Sequence, residues 1–340
     1  MNIPVLLGLL AGLAIVTLLV LEQNAGAVWH SLTAIGWEGF SIIVLYHLNL
    51  IGLMGLAWWM LGRNTGRPWW FTWGRLIRDS AAETLPLSQL GGYVLGGRAA
   101  TLAGIPGAFA AASTVVDVTT ELVAQLVYTL IGLTLLSWNR PDSGLVTPLL
   151  YAVSGMGVLV SLFIILQARG LKGTDRLGAS LSRHLLGQAL ARSAMVQDDI
   201  RRIYATPSSL FLAGALHLLC WIISGLETWL TIRLLGINLP VTSAIAIDSL
   251  LYGIRSVAFM IPNAIGVQEG GLIFLGGLFG LGGEAALAIS LIKRGRDLAI
   301  GIPALLLWQW AEGRRALLQR NHLPPDQGAP PTIRSAKDLH

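Results

Sequence analysis

The sequence predicts an all-α polytopic membrane protein with about six to eight transmembrane helices. Three observations carry that prediction. The 340 residues are 54% hydrophobic, with a mean hydropathy of +0.66. Only 12% are charged, where a soluble domain carries about 25%. The apolar residues also form continuous runs, several reaching the roughly 20 residues that a helix needs to cross a bilayer. Strands of a membrane barrel would alternate with period two instead.

The runs are 3–21, 39–61, 107–137, 145–167, 208–232 and 243–261, with a weaker stretch over 271–311. The first has no basic segment and no small-residue cleavage site, so it reads as a retained helix rather than a signal peptide. Cations between the runs assign the sides, because Lys and Arg accumulate in the cytoplasm. Residues 22–38 hold Glu22 and Glu38 and no cation, so they face outside. Residues 62–79 hold Arg63, Arg67, Arg75 and Arg78 and face inside. The 138–144 loop balances Arg140 with Asp142 and faces outside. Residues 168–206, which carry Lys172 and six arginines, face inside. Arg314, Arg315 and Arg320 hold the C-terminus inside as well, and both termini are then cytoplasmic. The net charge of +5 therefore speaks of topology, and no nucleic-acid partner is expected.

Within the 168–206 connector, Leu177, Leu181, Leu185 and Leu190 recur near helical spacing among arginines, the pattern of an interfacial amphipathic helix. Trp58, Trp59, Trp69, Trp70 and Trp73 read as an aromatic belt. The segment 316–340, with its "LPPDQGAPP", reads as a disordered cytoplasmic tail. The one cysteine, Cys220, excludes an intrachain disulfide, and the six histidines show no ligand spacing, so no metal or other cofactor is expected.

One stretch breaks the apolar pattern: "PNAIGVQEGG", residues 262–271. Pro262 removes a backbone donor, Gly266, Gly270 and Gly271 loosen a helix, and Glu269 puts a carboxylate at membrane depth. A counterpart lies at "LPLSQLGGYVLGGRAATLAGIPG", residues 85–107, with Pro86, Gly91 and Gly92. Laying Pro86 on Pro262, an offset of 176, also lays Glu121 on Asp297 and the 39–61 helix on 215–237. By the charge rule the first of these helices runs outside to inside and its mate runs inside to outside. That predicts an inverted repeat, with halves at about 39–137 and 208–311 in a single domain of residues 1–315. Broken backbone at depth is tolerated only where it is buried in protein or lines a wet cavity. Residues 67–105 and 243–282 are therefore expected to form two re-entrant hairpins. In the competing eight-span arrangement, 243–261 and 271–291 both cross.

Asp117 and Glu121 lie four apart on one helical face and need cations. The candidate partners are Arg98, Arg255, Lys293, Arg294 and Arg296, and Asp297 lies on the same helix as the last three. Together with Glu269 these residues form the expected substrate or ion path, since ionisable groups inside a membrane mark such paths. Asp248 and Glu227 read as structural, and His47 and His217 as helix–helix contacts.

"LPLSQLGG" with "ASTVVDVTTELVAQ", then "PNAIGVQEGG" with "SLIKRGRDLAIGIPALLLWQWAEG", resembles the lysylphosphatidylglycerol synthase transmembrane region, a flippase-like family. The second block is most similar to its hopanoid-biosynthesis-associated branch, HpnL. The resemblance implies movement of a membrane lipid, a hopanoid or phospholipid derivative, between leaflets of a bacterial inner membrane. It allows hopanoid or envelope biosynthesis proteins as partners. Many relatives carry an acidic residue after the glycines of the first motif, where this chain has Tyr93. Bifunctional relatives append a soluble aminoacyl-transferase domain, and none is expected of these residues. "GGYVLGG" lacks a P-loop lysine, and no nucleophile–base pairing stands out, so no enzyme activity is expected. The alternatives are a non-transporting accessory subunit and, behind it, an intramembrane lipid-modifying enzyme.

The topology is directly testable. A cysteine introduced in the 138–144 loop will react with an impermeant maleimide from outside, and one at 185–195 will not. Labelling of positions 262–268 from the cytoplasm only would overturn the inverted arrangement.

Overall fold

A computed structural model describes residues 17–19, 21–22, 25–62, 65–85, 88–169, 186–258 and 261–321. Among these every regular element is helical, and no strand is present. The helices are α1 (Ala25–Ala34), α2 (Gly36–Met60), α3 (Pro68–Thr84), α4 (Ser88–Ala103), α5 (Gly107–Asn139) and α6 (Val146–Arg169). They continue with α7 (Leu186–Tyr204), α8 (Pro207–Leu234), α9 (Val241–Val257), α10 (Val267–Leu278) and α11 (Gly283–Asn321). Most of the 3–21 run, Pro86, the leucines at 177, 181 and 185, and residues 322–340 lie outside the described residues.

Helices α2, α5, α6 and α8 are long and apolar enough to cross a membrane. Charges interrupt α11, but its 39 residues span about 58 Å at 1.5 Å per residue. The remaining interior helices are shorter. α3, α4, α9 and α10 have 17, 16, 17 and 12 residues. At roughly 18–26 Å each, they fall short of the ~30 Å hydrocarbon core. They pair as two hairpins, α3–α4 and α9–α10, in the places expected for 67–105 and 243–282. Residues 271–291 do not form one crossing helix, because α10 stops at Leu278 and α11 starts at Gly283.

Local chemistry sets the hairpin ends. Pro68 opens α3, where a missing N–H costs nothing. Leu85 closes it in an extended conformation (φ −99°, ψ 146°), the preference of a residue before proline. In the second hairpin Asn263 and Ala264 adopt left-handed backbone (φ 53° and 46°), and Gly266 follows at φ 84° as the N-cap of α10. Only glycine takes that last conformation without strain.

The packing relates the two halves. Tyr46 Oη donates to the Ile223 carbonyl at 3.0 Å, His47 meets Glu227, Gly39 lies by Leu234, and Met54 clusters with Cys220. Numbers rise along α2 as they fall along α8, so these matched helices run antiparallel. On α5 and α9, Gln125 Nε2 donates to Ser256 Oγ at 2.6 Å and Thr129 lies against Gly253. The 176 offset turns those positions into Gly301 with Ser80 and Leu305 with Ile77, both of which are contacts between α11 and α3. Each hairpin's first helix thus packs on the long helix of the other half, and the halves interlock.

Two expectations change. Trp58 is fully buried beside Phe71 and donates to Ser113 Oγ at 3.1 Å, so it is core rather than belt. Arg75 and Arg78 sit inside the fold on α3 and not in a cytoplasmic loop. Helix α7 buries Ile200 and Ile203 in the cluster around Trp58, so its C-terminal part is held by protein rather than by the interface alone.

The α3–α4 contact depends on small residues. A Cβ at Gly96 would lie 2.5 Å from Arg78 Cβ and 2.8 Å from the Gly74 carbonyl oxygen, whereas one at Gly97 would meet only Thr114 Oγ1, at 3.6 Å. Gly96→Val will therefore lower the thermal midpoint by the equivalent of about 1–3 kcal/mol or more, and Gly97→Ala will leave it unchanged. Thermal unfolding in detergent, both variants side by side, checks this.

Candidate functional site

Helical spacing places the interior charges. On α3, Arg75, Asp79 and Glu83 recur every fourth residue, which puts them on one face, with Arg78 alongside. On α5, Asp117 and Glu121 share a face in the same way. The two faces meet. Arg75 donates to both Glu121 oxygens at 2.8 and 2.9 Å and from Nε to Asp79 at 2.7 Å. Arg78 reaches Asp117 Oδ2 at 2.7 Å and also pairs with Glu121. The Tyr93 ring covers the Arg78 guanidinium at 4.5 Å. His217 of α8 closes the group, Nε2 lying 2.9 Å from Asp117 Oδ1. Arg75, Arg78, Asp117 and Glu121 are all buried.

The second half reverses the signs. Here the long helix α11 carries the cations Lys293, Arg294 and Arg296, and the hairpin carries the anions. Lys293 Nζ lies 2.7 Å from Asp248 Oδ1. Asp248 also accepts from Thr228, Ser224 and Tyr128 at 2.6, 3.1 and 3.1 Å. Arg296 pairs with Glu227, whose other oxygen meets His47 Nδ1 at 2.8 Å, and with Asp297 at 2.7 Å. Glu269 receives Arg294 at 2.5 and 3.2 Å, the Ser290 hydroxyl at 3.0 Å and the Gly266 N–H at 2.7 Å. It is fully buried, caps α10 and welds that helix to α11.

The hairpins touch at their tips. Arg255 Nη2 holds Glu83 at 2.9 and 3.0 Å, and Asn263 Nδ2 donates to the Glu83 carbonyl at 2.5 Å. Beside this joint a cavity of about 20 Å³ is lined by His47, Asp79, Ser80, Glu83 and Asp297, with Ile51 and Ile300 as its apolar wall. A second, apolar cavity of about 100 Å³ lies between α5, α6 and α9, with Leu126, Met156 and Ile254 in its walls and Gln125 and Ser256 at one side.

These geometries redraw the expected pairings. Asp117 and Glu121 find their cations on α3, not among Lys293, Arg294 and Arg296, because the long Arg75 and Arg78 side chains reach across from α3 to α5, while α11 turns its own cations to α8, α9 and α10. Arg98 leaves the site. It is more than half exposed and pairs with Glu312 near the end of α11. Arg255 belongs to the joint, and Asp297 to the cavity wall. Gly92 holds α4 against Arg78 and Ala82 of α3. Gly271 fits against Leu251, while Gly270 has open space around it. Neither glycine opens a route to Glu269, whose oxygens are filled by protein donors. Arg75, Arg78, Asp79, Glu83, Glu227, Asp248, His47 and His217 complete the network. The four-residue ladder at 75, 79 and 83, one polar face on a short helix, was the signal for the first of these.

The described interior then holds eight carboxylates, Asp79, Glu83, Asp117, Glu121, Glu227, Asp248, Glu269 and Asp297, against six Lys or Arg cations, Arg75, Arg78, Arg255, Lys293, Arg294 and Arg296. Arg75 and Arg296 each serve more than one carboxylate, and His47 and His217 each touch one more.

A family model described as the lysylphosphatidylglycerol synthase TM region matches residues 5–304, and the chain belongs to that family. No curated protein and no solved structure matches it.

The pairings make a double-mutant cycle decisive. Arg78→Gln takes from Asp117 its closest cation and from Glu121 one of two, leaving them to His217 and Arg75, and will cost up to about 3–5 kcal/mol, the penalty of breaking a buried pair from one side. Arg75→Gln with Glu121→Gln will be less destabilising than the sum of the two single changes. Arg294→Gln with Glu121→Gln will be additive, since those residues do not meet. Unfolding midpoints of the six variants and the wild type check all three statements.

Proposed function

We propose that this member of the lysylphosphatidylglycerol synthase TM-region family moves a lipid between the leaflets of a bacterial inner membrane, with both termini in the cytoplasm. The observation that carries the reading is the pair of short hairpins, inverted relative to each other and joined tip to tip among buried charges. Transporters built from inverted repeats place their substrate and ion sites where broken helices meet. The charge lattice gives a lipid headgroup polar surroundings inside a low-dielectric slab, where an isolated charge costs several kcal/mol. The apolar cavity beside α6 offers a neighbouring place for acyl or polycyclic carbon, since α6 turns nearly all of its surface outward. The hopanoid-associated branch supplies the finer reading, in which the cargo is a triterpenoid lipid or its derivative.

The purified protein, reconstituted into vesicles, will exchange labelled lipid between leaflets without forming a new lipid species. A panel of phosphatidylglycerol, its aminoacylated form and a hopanoid derivative identifies the cargo. Arg255→Gln, which opens the joint at two part-exposed residues, will change the exchange rate about tenfold while the protein stays folded, a barrier change of ~1.4 kcal/mol. Unchanged leaflet distributions for every lipid would overturn the reading, and a covalently altered lipid would replace it with an enzyme.

A further inference from the structure

We infer that the cavity beside the hairpin joint is a binding site for one small monovalent cation, a sodium ion or a proton. Three observations converge on it. Its walls carry Asp79 and Glu83 of α3 and Asp297 of α11, carboxylates brought together from both halves, with His47 of α2 between them. Each of these carboxylates meets one arginine, but two of the three arginines are divided: Arg255 holds Glu83, while Arg75 serves Asp79 and Glu121, and Arg296 serves Asp297 and Glu227. Asp79 and Asp297 are therefore only partly compensated, in a lattice where carboxylates outnumber Lys and Arg by eight to six.

The third observation is independent of charge. Ser80 also lines the cavity, is only 4% exposed, and its Oγ has no hydrogen-bond partner. A buried hydroxyl without a partner costs about 1–3 kcal/mol, and native folds rarely leave one so. A cation needs oxygen ligands of this kind: carboxylates for its charge and a hydroxyl to complete its shell. The cavity, at about 20 Å³, holds a single water-sized guest. The carboxylates are reachable, since Asp79 and Glu83 side chains are 23% exposed and Asp297 11%.

Sodium and a proton would be held by the same chemistry. A proton would reside on His47 or be shared among the carboxylates. His47 faces Glu227 of α8, Arg296 and Asp297 of α11, and Asp79 and Glu83 of α3, with Tyr46 beside it on its own helix. The site lies across both hairpins' supports, so its occupancy would bias how they sit together. That coupling role rests on the transport reading above, whereas the binding itself does not.

The test uses the full chain in lipid nanodiscs, without transport. Thermal midpoints are measured as sodium chloride replaces choline chloride at constant ionic strength, at pH values from about 5 to about 8. Wild type will be stabilised saturably by sodium at fixed pH, which identifies sodium, or in choline only by acid, which identifies the proton. Asp297→Asn will abolish the response. Ser80→Ala serves where Asp297→Asn fails to fold. It removes a hydroxyl that has no partner, so it will not lower the midpoint in choline, yet it will weaken the response about three- to tenfold. No response in wild type, or a Ser80→Ala protein that responds as wild type does, overturns the site. Lipid exchange without any such response would leave the transport reading standing and remove only this one.

Discussion

Everything inside this fold answers to the cost of an unpaired charge in hydrocarbon. Transferring a lone carboxylate or guanidinium from water to a medium of low dielectric costs several kcal/mol, a large share of a protein's whole stability. The chain nonetheless carries charges through its centre, and each helix there is positioned by where its counter-ions stand. α3, which packs on α2, α4 and α11, is tied to α5 by the reach of Arg75 and Arg78 to Glu121 and Asp117. α10 must lie on α11 because Glu269 and Arg294 complete each other. Apolar packing fills the space between these contacts. It cannot select the register by itself, since lipid tails are as apolar as leucine.

The two halves solve this problem with opposite signs. In the first, the hairpin cations Arg75 and Arg78 meet the long-helix anions Asp117 and Glu121; in the second, the long-helix cations Lys293 and Arg294 meet the hairpin anions Asp248 and Glu269. Asp117 and Lys293 occupy equivalent places at the 176 offset, one a carboxylate and one an ammonium. Because the halves interlock, α3 lying on α11 and α9 on α5, the reversal spreads both signs through the centre instead of gathering all cations to one side.

Much of this was legible in the residues. Continuous apolar runs gave the spans, and two proline–glycine breaks at a fixed spacing gave the hairpins and their relation. Asp117 and Glu121 announced a buried anionic face. What stayed hidden was the identity of the partners. Arg75 and Arg78 were counted as topological arginines, because the positive-inside rule reads cations between apolar runs and carries no information on whether their helix folds back into the protein. Trp58 was assigned to the interface by the same logic. Glu269 looked like an open site because glycines flank it, yet the helix start at Gly266 and Arg294 on α11 consume its oxygens. Pairings between residues some 40 or more positions apart, such as Arg75 with Glu121, are set by packing, and no local periodicity encodes them.

The joint between the hairpin tips differs in kind from the lattices behind it. The lattices are multiply bonded, Asp248 and Glu269 each accepting from several donors, whereas the tips meet through one ion pair, Arg255 with Glu83, and the Asn263 amide. Solvent reaches both partners of that pair, 13% and 23% exposed, and an ion pair weakens as water screens it. The molecule therefore has a mechanical weak point in a defined place. The two hairpins, each also seated on the long helix of the opposite half, are latched at their tips by this one clasp. Its parting would leave an arginine on one lip and a glutamate on the other, an edge already polar before any cargo arrives.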